Sequence, residues 1–270
     1  MGEDRYELPV TRGLCSGLGT LFGGSALGAS AEVIAEVTGR TPRWLSGQFL
    51  TLARPGDLVA LTVEVLAAGR RFTQARVVGS TDGHDVFHVA ATLGDGGADL
   101  RASFVVHPEV EAPQRCPPRP TSPRLEGTVI ERMDLRLARS AVDHDLPPGS
   151  LGPGRSAYWA RLEELGASPA ALAVLGDLIP AGVVLATGRP GIGSSLDHSV
   201  RVHRDEAASW LLVDVRTQAI EGGLAHAIAH LFDVDGQLRG SASQTTAVRL
   251  RQRRPGPVSA GRPAGRDPKA

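Results

Sequence analysis

Residues 211–236, LLVDVRTQAIEGGLAHAIAHLFDVDG, lie without a gap on residues 58–83, LVALTVEVLAAGRRFTQARVVGSTDG, at an offset of 153. Few residues are identical, yet the turns coincide: Gly222 falls on Gly69, and Asp235-Gly236 on Asp82-Gly83. Apolar residues flank each turn in the pattern of antiparallel strands. Two copies of one unit are the expectation. In the first copy, Ala26, Val33, Ile34 and Val37 sit at helical spacing over residues 25–37, behind the permissive pair Gly24-Ser25. Strand signals follow at 44–52, 58–66, 71–79, 86–93 and 100–106. In the second copy, Ser168-Pro169 offers an N-cap and a first helical residue to an apolar helix. A helix followed by an antiparallel meander, stated twice, is an α+β pattern.

Six prolines in residues 108–127 deny backbone donors and favour extended geometry, so this stretch reads as a linker running outside the sheets. The expected division is a first unit at 1–107, the linker at 108–127, a second unit at 128–250 and a disordered basic tail at 251–270. The formal net charge is zero, but the tail carries six basic side chains against Asp267 alone, leaving the body acidic. An acidic body excludes a nucleic-acid stripe on the folded part, and no nucleic-acid partner is expected. Two cysteines a hundred residues apart, Cys15 and Cys116, fit a reducing compartment. The charged opening MGEDRYELPV is unlike a signal peptide, and no stretch is read as a span of about 20 apolar residues. A cytoplasmic location is expected.

Neither GLCSG nor GGSAL is the Gly-x-Ser-x-Gly elbow of a hydrolase sheet. GLGTLFGG lacks the preceding apolar strand of a dinucleotide fingerprint. His226 and His230 have no third ligand nearby, so no metal is expected. Asp143-His144-Asp145 reads as a solvated loop. Asp177 differs from all of these, being the sole ionisable residue between Glu164 and Arg189. Two readings stand: a buried functional carboxylate with a raised pKa, or a surface residue where the helix ends before Pro180.

From Ser195 onward, SLDHSVRVHR, then WLL at 210–212 and DGQLRGSASQ at 235–244, resemble the C-terminal half of the acyl-CoA thioesterase II family. LFGGSALG at 21–28, RPGD at 54–57 and GRRF at 69–72 resemble its N-terminal half. The resemblance implies a tandem (double) hotdog, two long helices each wrapped by an antiparallel β-sheet. It also implies a site in which an Asp, a Ser or Thr, and a Gln hold the water that attacks a thioester. The Asp is matched by Asp177 and the Gln by Gln244. The hydroxyl position falls on Thr217 or Gln218, neighbours that a strand points to opposite faces. Backbone N–H groups at Gly23 and Gly24 are expected to polarise the thioester carbonyl. The sequence departs from the family at Arg201-Val202 before His203, at Leu224-Ala225, and at Thr245-Thr246 after Gln244.

The leading expectation is a hydrolase of acyl-CoA or acyl-carrier-protein thioesters in lipid metabolism, without cofactor or metal and assembled as a homo-oligomer. The alternatives are a hotdog dehydratase, isomerase or cyclase, or a non-catalytic acyl-binding protein, because one fold hosts several chemistries.

Overall fold

The computed structural model describes residues 4–97, 100–120, 122–140, 151–188, 191–206 and 208–250. The basic tail, the 143–145 loop and Arg189 lie outside the described residues. The first copy comprises β1 (Asp4–Pro9), α1 (Gly23–Thr38), β2 (Pro42–Phe49), β3 (Leu58–Ala68), β4 (Phe72–Thr81) and β5 (His84–Gly94). A one-turn α2 (Val129–Arg132) and β6 (Asp134–Arg139) precede the second copy. That copy comprises β7 (Arg155–Arg161), α3 (Pro169–Gly176), α4 (Ile179–Thr187), β8 (Gly191–Ser195), β9 (Asp197–Val202), β10 (Leu211–Glu221), β11 (Leu224–Phe232) and β12 (Leu238–Leu250).

All described strand pairs are antiparallel, and they form one continuous sheet of twelve strands. The path is β1-β3-β4-β5-β2 and then β9-β12-β11-β10-β7-β6, with β8 also paired to β12. The first five strands repeat in mirrored order as β9-β12-β11-β10-β7, so the two copies meet edge to edge at β2 and β9. At that seam Ser46 lies opposite Ser199, a residue and its own counterpart at the repeat offset. A local twofold axis therefore passes through the pair. Two-residue hairpins form at Asp82-Gly83 and Gly222-Gly223, all four residues having positive φ (49°, 76°, 57° and 79°). That is the geometry whose twist matches the flanking strands, and it explains the Asp-Gly and Gly-Gly choices.

Alternation along the strands divides two faces. Leu211, Val213 and Val215 of β10 join Leu61, Val63, Val77 and Val89 in the core beneath the helices. Leu212 points the other way, into a smaller cluster with Trp159, Trp210, Phe232 and Cys116. The proline-rich segment covers this second face of the C-terminal copy: Val110 packs on the cluster, and the Trp159 indole donates to the Glu111 carbonyl at 2.8 Å. It then lies along β6, with Arg119 N–H donating to the Leu135 carbonyl and Leu137 N–H to that of Pro117. Residues 100–106 do not form the expected strand. β5 already has β4 and β2 on its two sides, so no edge is left for them.

The expectation of two long helices needs correction. α1 runs 16 residues, but its counterpart at the repeat offset holds only α4, of 9 residues, while α3, of 8, precedes it and matches residues 16–23, which up to Phe22 are turn and bridge in the first copy. Ser168 caps α3 as expected, its Oγ accepting from Ala171 N–H at 3.2 Å. The break follows from Pro180, which has no N–H to offer the Gly176 carbonyl four residues back. Asp177 and Leu178 leave helical geometry at ψ 9° and 1°. The apolar-run expectation is also revised. Pro169–Thr187 is long and apolar enough to cross a membrane by composition, with mean hydropathy 1.9, and 78% of that window is buried inside the protein.

Candidate active site

α1 and α3 approach closely because their facing surfaces are small. A Cβ on Gly24 would lie 2.8 Å from Val174 Cα and 2.9 Å from the Ala173 carbonyl oxygen. One on Gly28 would lie 3.3 Å from Val174 Cγ2. The approach brings the start of α1 against the break after α3. α1 begins at Phe22 without any side-chain cap of its own. Asp177 supplies one from the other copy, its Oδ2 accepting from Gly24 N–H at 2.6 Å. A carboxylate at a helix N-terminus meets both an orphan donor and the positive end of the helix dipole. Gly24 and Asp177 are themselves 153 residues apart, so this contact lies on the same axis as Ser46 and Ser199.

Two more donors converge on the carboxylate. Ser195 Oγ donates to Asp177 Oδ1 at 3.1 Å, and Gln244 Nε2 donates to the same oxygen. Thr246 Oγ1 donates to Gln244 Oε1 at 3.4 Å, which fixes the orientation of the amide. Asp177 is only 1% exposed, and Gln244 is fully buried. Burial pushes the Asp177 carboxyl above its ordinary range, while His198, Gln244, Gly24 and Ser195 pull it back. His198 is also fully buried, and its Nε2 lies 2.9 Å from the Ala173 carbonyl. The helix break sits just beyond that carbonyl, so the ring holds the last turn of α3 in place. Tyr158 Oη donates to the Leu178 carbonyl at 2.7 Å. Burial, and then the charge of Asp177, push its phenol well above the ordinary range.

Asp177, Ser195, Tyr158 and Gly23 all lie on the wall of a cavity of about 560 Å³ between the two copies. The rest of its lining is mostly apolar, with Leu21, Phe22, Phe49, Leu137, Leu178 and Leu185 among the contributors. A pocket of this size, with one carboxylate on an apolar wall, suits an apolar substrate with a single reactive group.

The structure thus brings Asp177, Gln244 and Gly23–Gly24 together and leaves Thr217 and Gln218 elsewhere. These two lie at a β-bulge in β10, where the pairing with β11 shifts register between Thr217 and Ala219. Gln218 is the extra residue and points to solvent. The Thr217 N–H bonds the Gly154 carbonyl at 2.8 Å, and its hydroxyl touches no residue of the cavity cluster by hydrogen bond. The hydroxyl beside Asp177 is instead Ser195, the first residue of the SLDHS element, delivered by the pairing of Ser195 with Thr246. The expectation for Gly24 changes as well. Its N–H is committed to Asp177, which leaves Gly23, in the first turn of α1, as the glycine facing the cavity. Among the described residues no group of three His, Cys, Asp or Glu side chains is arranged to hold a metal ion.

The model of the acyl-CoA thioesterase C-terminal domain matches residues 113–248, and that of the N-terminal domain matches residues 11–94. The chain belongs to the acyl-CoA thioesterase family. It is a thioester hydrolase. Solved structures agree on the hotdog fold. A provisionally assigned thioesterase from Novosphingobium aromaticivorans shares 29% identity at TM-score 0.77, over 90% of this chain and 94% of its own. An acyl-CoA thioesterase II from Mycobacterium marinum shares 24% at TM-score 0.68, over 85% and 90%. A hotdog-fold protein of unknown function from Alicyclobacillus acidocaldarius shares 18% at TM-score 0.76, over 92% and 94%. Comparison with curated proteins gives no match. Within this thioesterase, the matched halves meet at the Asp177 cluster.

Proposed function

We propose that this chain is a tandem hotdog, its second unit wrapped around a broken helix, and that it hydrolyses acyl thioesters by a water activated at Asp177. One observation carries the reading: a buried carboxylate, held by three donors, on the wall of an apolar cavity. Asp177 takes a proton from the water as its oxygen attacks the thioester carbon. The tetrahedral intermediate then collapses, the C–S bond breaks, and the departing thiolate takes that proton back. Ser195 and Gln244 fix the carboxylate so that its free lone pair faces the cavity. N–H groups at the first turn of α1 lie where an oxyanion would form, with Gly23 on the cavity side. The thiol carrier is coenzyme A or an acyl carrier protein. Thr217 and Gln218, the two candidates for the hydroxyl position, stand outside the cluster, and the Ser195 hydroxyl lies within it.

Asp177→Asn keeps the shape of the side chain but cannot accept the proton. Hydrolysis of acyl-CoA should fall by about 10²–10⁴-fold while the fold is unchanged. Wild-type turnover by this variant would end the assignment.

A further inference from the structure

We propose that the proline-rich segment carries a phosphate-binding pair, Arg119 and Arg124, at the opening of the cavity, and that it receives the phosphate of a phosphopantetheine arm. The proposal rests on the thioesterase reading and adds to it where the carrier is held. Exposure shows where the cavity opens. Its liner Asp177 is 1% exposed, whereas the liners Leu18 and Leu52 are 56% and 64% exposed. Arg124 is exposed and Arg119 half-buried, and both line the same cavity. The turn carrying Leu18 sits against the proline-rich segment, since a Cβ on Gly17 would come within 2.8 Å of Leu125 Cδ2. These two segments therefore frame the mouth.

Neither arginine is neutralised there. Arg119 Nη1 donates to the Pro120 carbonyl at 3.3 Å, while its Nε is buried without any partner. Burial lowers its pKa, with Glu131 the one acid acting in the other direction. The Arg124 side chain makes no hydrogen bond or ion pair among the described residues. The third arginine of the lining, Arg136, is already engaged. It pairs with Asp134 at 3.3 Å and lies 5.4 Å from the centre of the Trp210 ring. A desolvated guanidinium with an empty donor seeks an anion, and its planar fork matches phosphate. An unsubstituted acyl chain carries no anion. The carrier does: coenzyme A and acyl carrier proteins both present their thiol on a phosphopantetheine arm. That arm runs outward to solvent, past the mouth where the arginines stand.

The test uses two acyl groups of equal length, one ending in a methyl and one in a carboxylate, on four carriers: pantetheine, 4′-phosphopantetheine, coenzyme A and an acyl carrier protein. The full chain is compared with Arg119→Gln, Arg124→Gln and the double variant. On the phosphorylated carriers kcat/KM should drop about 10-fold or more through KM, with kcat held, and on pantetheine it should not change. The ratio between coenzyme A and carrier protein in the unaltered chain shows which source supplies the phosphate. Equal losses on pantetheine, or none on phosphopantetheine, would overturn the proposal. So would a loss confined to acyl chains that end in a carboxylate. Calorimetry with free 4′-phosphopantetheine against free pantetheine reads the same pair without turnover. It separates failure of the arginine site from failure of the hydrolase reading.

Discussion

In the first copy the central helix starts at Gly23 and runs unbroken to Thr38, whereas in the second an added helix, α3, runs into a break at Asp177 and Leu178, where the match to α1 begins, before α4 continues. The sheets around them keep the same strand order, and their bulges, between Val65 and Ala67 and between Thr217 and Ala219, fall within one residue of each other at the repeat offset. Strand order is thus insensitive to what the helix does, and the helix is where the two copies part. Shifting Asp177, Ser195 and Gln244 back by the repeat offset gives Gly24, Pro42 and Ala91. Not one of these has an ionisable or hydroxyl side chain. The copies therefore define one proposed reactive centre per chain, to which the unbroken helix brings its N-terminus and no carboxylate.

The comparison is broken most severely by exporting the cut. Leu27 is the counterpart of Pro180, fully buried within α1. Leu27→Pro should lower unfolding free energy by about 3 kcal/mol or more, whereas Pro180→Ala should change it by less than about 1 kcal/mol. Chemical denaturation of the two variants measures the contrast, and equal losses would show that the cut has no special place in the second copy.

Ser195→Ala removes a hydrogen bond to a charged group and should reduce kcat by about 10- to 100-fold, with the melting temperature little changed. A smaller effect arises from the burial of Asp177. Its folded pKa is raised, so stability is fully present below the ordinary carboxylate pKa and is lost as pH rises through the folded value. At neutral pH Asp177→Asn should melt higher by about 2–4 °C, the shift that 1 kcal/mol brings in a chain of this size. The gain should vanish in acid. A variant that melts lower at neutral pH would mean that the helix cap outweighs burial. On the wild type, kcat/KM should climb with pH through that same raised pKa and then level off. Smallest of all, Thr217→Ala and Gln218→Ala should each keep hydrolysis within about twofold of wild type. A large loss at either position would return the hydroxyl role to β10.

Much of the fold is written in short-range signals. The paired turns, the alternation in β3 and β10, and the Ser168 cap are all local, and local rules find them. The carboxylate was visible too, as a lone charge in an apolar run ahead of a proline. Ser195 was not, because β8 reads GIGSS and offers no apolar alternation that would orient it. Its place depends on which residue of β12 it pairs with, a contact 51 residues away in sequence. The only available hint was its position directly ahead of Leu-Asp-His-Ser. Gln218 misled for a related reason, since one extra residue in a strand reverses the facing of everything counted past it. The proline-rich segment was read as a connection and proves to be part of the cavity wall, because prolines predict extended geometry without saying what the chain lies against.

The contact between Gly24 and Asp177 has one more consequence, for how such a molecule can be put together. Residues on a twofold axis meet their own counterparts. Two separate identical subunits would place aspartate against aspartate, two repelling carboxylates, or glycine against glycine, with no base at all. A mixture of unlike subunits would assemble wrongly as often as chance allowed. Tying unequal copies into one polypeptide makes the aspartate face a glycine in every molecule. The peptide connection between the halves is therefore as necessary to the proposed reaction centre as the carboxylate it brings into place.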